Sequence, residues 1–563
     1  LPNATLDGVR LATVESAAAG DGWLRVVRSA AQTAQRTAAL ARIVVQGGGA
    51  LRWESTGAQA RAVVALPAGA EVVVEKLVVI AGDAPGRADC RTVVDGRRAA
   101  LAALTAASAF AAHRAAIAAF WAGADVRIDG DPRAQRAVRY ALYATRASAP
   151  DDGGQSSIGA KNLTGCWYRG AVFWDMDVFQ LPLLAATAPE RARNHLRYRA
   201  ARLDAAERLA AQDGFRGARY PWQSYQSGTE EPPVMGGFLW QQVHVGLAVA
   251  NGFLIGLDHD GDERLFAELG LPVVLAVLRF FASRATPGQD GRLHLKLVTG
   301  PDEDHHAIDD SCYTAAFCVH IARRALALLE RLPAALTAPA RTRAHFDAAE
   351  EQRVRELIER LVIPRLPDGT PEPFTGWRDL PEPDETRVGH QGARTDKPTK
   401  QTDVLLLWQV APDWADDAQL AQAWHQHAPL CNQVSSLSFG SHALLALRLG
   451  RERDAARFLD YAAGIDLDDT AGNAAHGLHG AGEGNVWLAM VHGAGGLRVD
   501  GHGVAIDPLP PRAWTRLEYR IHVHGQPLTV TAADGGVTVA HRGTQPVAAR
   551  ICGSPTSTTR SPP

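Results

Sequence analysis

The sequence predicts a multidomain, mainly α-helical protein: an (α/α)6 barrel, flanked by an N-terminal β-sandwich that looks partial and a small C-terminal β-sheet domain. Three observations carry this. Short Val-rich runs separated by Gly or polar breaks fill residues 1–95, a pattern of short strands. From about 129 to 487 apolar residues recur at helical spacing in roughly eleven or twelve segments. After 497 the period-2 alternation returns in LEYRIHVHG, LTVTAADG and GVTVAHRG.

Taken in order, the first domain (1–95) is built from VRLATVES, WLRVVRSA, RIVVQ, LRWES, ARAVVAL and EVVVEKLVVIAG. An Ala-rich helical linker (96–128) follows. The central domain (129–496) has helices over 132–147, 189–211, 240–257, 262–284, 312–332, 345–363, 402–411, 435–449 and 451–463. Long aromatic and Gly/Pro-rich loops connect them, and loops of such length in a compact domain usually carry function. About twelve helices with elaborate loops fit a double ring whose loops form a site at one end. The C-terminal sheet domain covers 497–550, and SPTSTTRSPP belongs to a tail (551–563) predicted to be disordered.

A hydrophobic fraction of 46% marks a globular chain, and a net charge of −3 points to neither nucleic acid nor an anionic membrane as partner. Six scattered cysteines without a CxxC pair read as reduced thiols of a cytoplasmic protein. Five lysines stand against 53 arginines, which draws attention to each lysine.

The chemistry is sought first in RLHLKLVTGPDEDHHAIDDSCYTAAFC, residues 292–318. Alternating Leu293, Leu295 and Leu297 predict a short extended segment, and Gly300-Pro301 breaks it. Asp302, Glu303 and Asp304 then lie on a loop leaving a rigid segment, which suits proton transfer. Asp309 and Asp310 are expected to cap the following helix. A solvated acidic turn is the alternative. In YRGAVFWDMD (168–177), aromatics alternate with Asp175 and Asp177, as a sugar site requires: rings stack on C–H faces and carboxylates accept from hydroxyls. GARYPWQSYQSGTEE (217–231) repeats that logic with Tyr220, Trp222, Tyr225, Glu230 and Glu231. Lys400 and Gln401 precede the apolar helix VLLLWQV, where a lysine opposes the helix dipole and so suggests a specific role. Ser435 and Ser436 open another helix and can hold a phosphate or simply cap it. His476 and His479 lie in a Gly-rich loop; their spacing matches no strong metal-ligand pattern, and no metal is expected.

YRGAVFWDMD, GARYPWQS, VTGPDEDHHAIDDSCYT, KQTDVLLL, SSLS and IDLDDTAGNAAHGLH together resemble glycoside hydrolase family 65, the inverting disaccharide phosphorylases and related hydrolases, over about 135–530. The resemblance implies a β-sandwich, helical linker, (α/α)6 barrel and C-terminal β-domain. It also implies that the sandwich here is truncated or divergent. By motif match it implies Glu303 as general acid, with Trp174, Asp175, Lys400 and Gln401 binding the nonreducing glucose. Ser435, Ser436 and His479 would bind phosphate. Tyr220 and Trp222 are carried as further sugar contacts.

An inverting enzyme needs an acid on one face and a nucleophile on the other. A phosphorylase replaces water and base with phosphate, which a nearby carboxylate would repel. LCNQVSSLSFGSH (430–442) contains no acid, favouring phosphorolysis of an α-linked glucose disaccharide to β-glucose 1-phosphate, with phosphate as co-substrate and no cofactor. Departures from the family pattern include Ser311 and Ala315 after the acid, Val434 before the serines, His476 in place of a Glu, and Glu483 beyond His479. An inverting α-glucosidase with Glu483 as base, and an inactive sugar-binding relative, are the alternatives. The resemblance further suggests a homodimer.

Overall fold

The computed structural model describes residues 5–6, 9–10, 12–30, 35–56, 59–83, 88–165, 167–230, 239–383 and 392–552. The chain divides into two compact units, 1–122 and 123–563. The expected disordered tail lies, from 553 onward, outside the described residues.

In the first unit, Ala12–Gly20, Trp23–Ala30, Arg36–Gln46 and Val73–Gly82 form an antiparallel four-stranded sheet in that order. Asp21 and Gly22, both at positive φ, make the two-residue turn between the first two strands, a conformation that matches strand twist. Leu51–Thr56 and Gln59–Val64 pair as a separate hairpin. Helices Cys90–Gly96 and Arg98–Ala103 follow, and Cys90 and Val94 close a small core with Val27, Ala38 and Leu40. Asp89 caps the first of them through the Arg91 N–H. Most of the predicted linker is the helix Ala106–Ala124.

The second unit is predominantly helical. Its most completely buried helices are Met176–Thr187, which begins with a π turn, and His244–Asp260, Cys312–Arg331, Asp403–Val410, Ser436–Arg448 and Gly480–Leu488. Between them in sequence come the partner helices, among them Pro189–Ala200, Glu263–Arg284, Ala348–Arg360, Asp417–His427 and Glu452–Gly464. His244–Asp260 shows why such a helix is buried. It is apolar on every side, and a methyl at Gly256 would lie 2.5 Å from the Leu196 side chain. Glu263–Arg284 and Cys312–Arg331 are long and apolar enough to cross a membrane by composition, yet 72% of the apolar 18-residue stretch in each is buried inside this unit.

Helices Asp417–His427, Gly480–Leu488 and Met176–Thr187 go beyond the predicted set; their apolar faces are short, interrupted by His in the first, Gly in the second, and Asp177, Gln180 and Pro182 in the third. The C-terminal sheet runs Gly536–His541, Gln526–Ala533, Arg516–Val523 and Val126–Asp129. Its last strand comes from before the first helix of the unit, paired from Arg516↔Asp129 to Tyr519↔Val126. Sequence pattern alone places those four residues in linker and barrel.

Candidate functional site

All the motifs but GARYPWQS, which lies in the 217–230 loop, stand at the N-terminal end of a buried helix. Trp174-Asp175 precedes Met176, His244 opens its helix, and the Glu303 loop leads into Cys312. Lys400-Gln401 leads into Asp403, Ser435 caps Ser436–Arg448, and His479 caps Gly480–Leu488. Helix N-termini carry unpaired N–H groups and positive partial charge, which suits anions and hydroxyl oxygens.

The acid loop is tied at its base by reciprocal backbone bonds of 2.8 Å between Val298 and Ile308. Within it the Asp302 N–H donates to Asp403 Oδ1 at 2.6 Å. Asp302 Oδ1 accepts from the Lys400 N–H at 2.8 Å, and Oδ2 pairs with His305 Nδ1 at 2.6 Å. His305 Nε2 meets the Asp396 carbonyl at 2.9 Å. Burial opposes a charge on His305, but the bond to Asp302 raises its pKa on balance. Burial, together with the Asp302 charge, pushes Asp403 well above the usual carboxylate range.

Glu303 is thereby held with its carboxyl facing two donors. Lys400 Nζ donates to Oε2, and Gln242 Nε2 lies 3.4 Å from Oε1. Gln242 Oε1 in turn meets His244 Nε2 at 3.2 Å. Burial drops the His244 pKa to about 3, so its neutral ring donates to Gln242, whose amide is left to donate to Glu303. Asp175 shares this neighbourhood: burial first, then the Glu303 charge, raise its pKa to about 7 against the pull of Lys400. Tyr168 is influenced by Lys400, Asp175 and Glu303 together.

Several sequence expectations change here. Asp309 and Asp310 do not cap the helix after the acid; Ser311 does, accepting from the Thr314 N–H. Asp310 turns back to the Leu295 N–H at 2.9 Å and His294 at 2.8 Å, and Asp309 binds Lys296 at 3.0 Å. The extended run predicted through Leu297 stops at His294, and Leu297 adopts positive φ. Tyr220 is 1% exposed and its hydroxyl donates to the Arg199 carbonyl at 3.1 Å, so it packs the core and offers no sugar platform. Trp222 is likewise buried, edge-on to Phe173 at 4.8 Å. Glu230 turns inward to Arg219 and the Trp222 N–H, and Glu231 lies outside the described residues. Asp177 belongs to a buried ion cluster with His195 and Arg199.

Trp174 is 2% exposed and stands edge-on to His244, supporting Asp175 from behind. Gln401 is buried, and its amide donates to the Pro301 carbonyl at 3.1 Å, anchoring the acid loop. Ser435 accepts from the Leu437 N–H at 3.3 Å, so its hydroxyl oxygen is engaged as a cap. Ser436 is half-buried and lies beside His479: a methyl at Gly482 would sit 3.8 Å from Ser436 Cβ and 3.5 Å from His479 Cβ. His479 Nδ1 meets Asp466 Oδ1 at 2.7 Å, while His476 is exposed and stacks on Trp167 at 4.9 Å. Ser438 Oγ donates to the Lys400 carbonyl at 3.5 Å, linking the serine motif to the acid.

Gln242, Lys161 and Asp466 carry no motif of their own in the sequence. Lys161 is buried beside Gly477, with burial lowering its pKa and Asp466 raising it. Its signal was the scarcity of lysine. Asp466 stood in a quoted motif but has no local partner in sequence. A cavity of about 480 Å³ also opens among the C-terminal ends of the buried helices, lined by Arg324, Trp408, Arg448 and the 497–502 hairpin. None of the candidate residues lines it.

The helical unit, with carboxyls, lysine and hydroxyls gathered at helix N-termini, defines the class first: a helical domain with a polar site. Residues 139–488 match the glycosyl hydrolase family 65 central catalytic domain, and 497–556 match that family's C-terminal domain. The chain belongs to glycosyl hydrolase family 65. It is 32% identical to a kojibiose phosphorylase of Caldanaerobacter subterraneus over 76% of this chain and 59% of the relative. A maltose phosphorylase of Bacillus subtilis is 29% identical over 73% of this chain and 55% of the relative. A 1,2-alpha-glucosylglycerol phosphorylase of Bacillus selenitireducens is 28% identical over 75% and 60%. The chain thus spans about three fifths of the length of these relatives. In fold it is similar to a putative kojibiose phosphorylase from the human microbiome, with TM-score 0.84 and 20% identity over 95% of this chain and 75% of that one.

Proposed function

We propose that the chain cleaves an α-linked glucose disaccharide by inverting phosphorolysis, yielding β-glucose 1-phosphate and a sugar acceptor. Glu303 gives its proton to the glycosidic oxygen as the bond to the anomeric carbon breaks. A phosphate oxygen attacks that carbon from the opposite face, and the new C–O bond retains the nucleophile's electron pair. Asp175, with Lys400 and Gln401, holds the nonreducing glucose. Ser435, Ser436, His479 and the two helix N-termini behind them hold phosphate, the co-substrate; the reading invokes no cofactor or metal.

The observation that carries this reading is the double role of Lys400. Its ammonium reaches Glu303 while its carbonyl accepts from Ser438, so acid side and phosphate side meet at one residue. The relatives, phosphorylases of kojibiose, maltose and glucosylglycerol, support the same chemistry. The six buried helices with motifs at their N-terminal ends support an (α/α)6 barrel. A cytoplasmic location is supported by the free thiols Cys90, Cys312, Cys318, Cys431 and Cys552. A homodimer is proposed from the family alone.

The test is product release from a panel of α-linked glucose disaccharides with and without inorganic phosphate. β-Glucose 1-phosphate formed only with phosphate is the expected result. Free glucose released at the same rate without phosphate would establish hydrolysis instead.

A further inference from the structure

We propose that Asp466 and Glu483 form a proton-sharing pair that positions His479, with the proton on Glu483, so that one negative charge and not two lies behind the phosphate side. The proposal rests on the phosphorolysis reading and accounts for an acid that this reading otherwise leaves unexplained.

The geometry begins with Asp466, whose side chain is fully buried just after the helix Glu452–Gly464. Its two oxygens both serve His479: Oδ1 meets the ring Nδ1 at 2.7 Å, and Oδ2 accepts the backbone N–H at 2.7 Å. Ring and backbone are therefore fixed together, and Nε2 is the ring nitrogen left for a ligand. Glu483 lies one turn into the helix that His479 caps, its backbone N–H bonded to the His479 carbonyl at 2.9 Å. It is 3% exposed, and its carboxyl also hydrogen-bonds Asp466.

Two carboxylates cannot form a hydrogen bond without a proton between them, and burial makes two adjacent negative charges costly. Asp466 already accepts on both oxygens, so it is the ionised partner and Glu483 the donor. Burial and the Asp466 charge push Glu483 well above the usual carboxylate range, in agreement. Lys161, Tyr140 and His479 are the other titratable groups facing the pair. Burial lowers the pKa of Lys161 and the Asp466 charge opposes that, and the Tyr140 phenol, raised to about 12 chiefly by burial, stays neutral. A phosphate dianion thus approaches one buried negative charge, on Asp466, and a neutral Glu483. Asp466 and Glu483 are positioning residues, since they act through His479.

Steady-state kinetics with phosphate and disaccharide varied separately test this in Asp466→Asn, Glu483→Ala and Glu483→Gln. Asp466→Asn and Glu483→Ala are expected to raise the KM for phosphate about 10-fold or more, the loss of a hydrogen bond to a charged group, with the disaccharide KM within about 2-fold. Glu483→Gln is expected to recover most of the loss seen in Glu483→Ala, because an amide N–H replaces the acid O–H toward Asp466. A Gln variant as impaired as the Ala variant would overturn the proposal, since Glu483 would then be acting ionised. Equal rises in both KM values would also overturn it, by reducing the pair to a structural support. Should Asp466→Asn not fold, the Ala and Gln pair alone decides. Phosphate-independent glucose release by the unsubstituted enzyme would overturn the phosphorolysis reading itself, a result visible before any variant is made.

Discussion

Asp175→Asn is expected to stabilise the free protein above neutral pH while abolishing sugar affinity. The Asp175 carboxyl is half-buried beside Glu303, and its pKa rises from 3.8 to about 7. A carboxyl whose folded pKa exceeds its unfolded one contributes stability that is present below pH 3.8 and lost as pH rises through about 7. At 1.36 kcal/mol per pH unit that loss has a ceiling of about 4 kcal/mol. Residual solvent access reduces it to about 2 kcal/mol. Asn mimics the protonated acid and carries no charge to desolvate, so it avoids the loss. For a unit spanning 123–563, 1 kcal/mol is worth roughly 1 °C in Tm. Thermal denaturation of both proteins between pH 3.5 and 8.5 should show coincident Tm values at pH 3.5, a gap that opens as pH rises from 3.8 towards 7, and a variant about 2 °C more stable at pH 8.5. Calorimetry should show sugar binding lost. A Tm difference independent of pH, or a variant less stable at pH 8.5, would refute the assignment of Asp175 as a strained, ligand-awaiting carboxyl.

Three further outcomes follow from other contacts. Glu303→Gln should lower turnover by about 10²–10⁴-fold while leaving disaccharide binding measurable by calorimetry, as expected for loss of a general acid. Gly300→Ala should cost about 1–3 kcal/mol and most of the activity, because the added Cβ would lie 2.1 Å from Oδ2 of Asp403, whose Oδ1 holds the Asp302 N–H; denaturation midpoints and turnover measured together check it. Asp177→Ala should destabilise by about 3–5 kcal/mol, leaving buried Arg199 without its countercharge; soluble yield and Tm check it, and full stability would contradict a structural role.

The sequence by itself determined the local elements and the residue types of the site. Period-2 runs and helical periodicity are properties of neighbouring residues, so the strands of 12–82 and 516–541 and helices such as Cys312–Arg331 were legible from pattern alone. The motifs carrying Asp175, Glu303, Lys400 and His479 were legible because each is a compact string at a helix start. What pairs with what was decided by tertiary structure. Asp175 and Asp177 are two residues apart in one aromatic run, yet one faces Glu303 and the other neutralises Arg199. Tyr220 and Trp222 are aromatic in either environment, and only the packing of the 217–230 loop turned them inward. Strand Val126–Asp129 found its partner nearly four hundred residues away, at Arg516–Tyr519. Asp466 and Glu483 acquired their meaning in the same way. A carboxyl's charge depends on its neighbours through space, which sequence spacing does not specify.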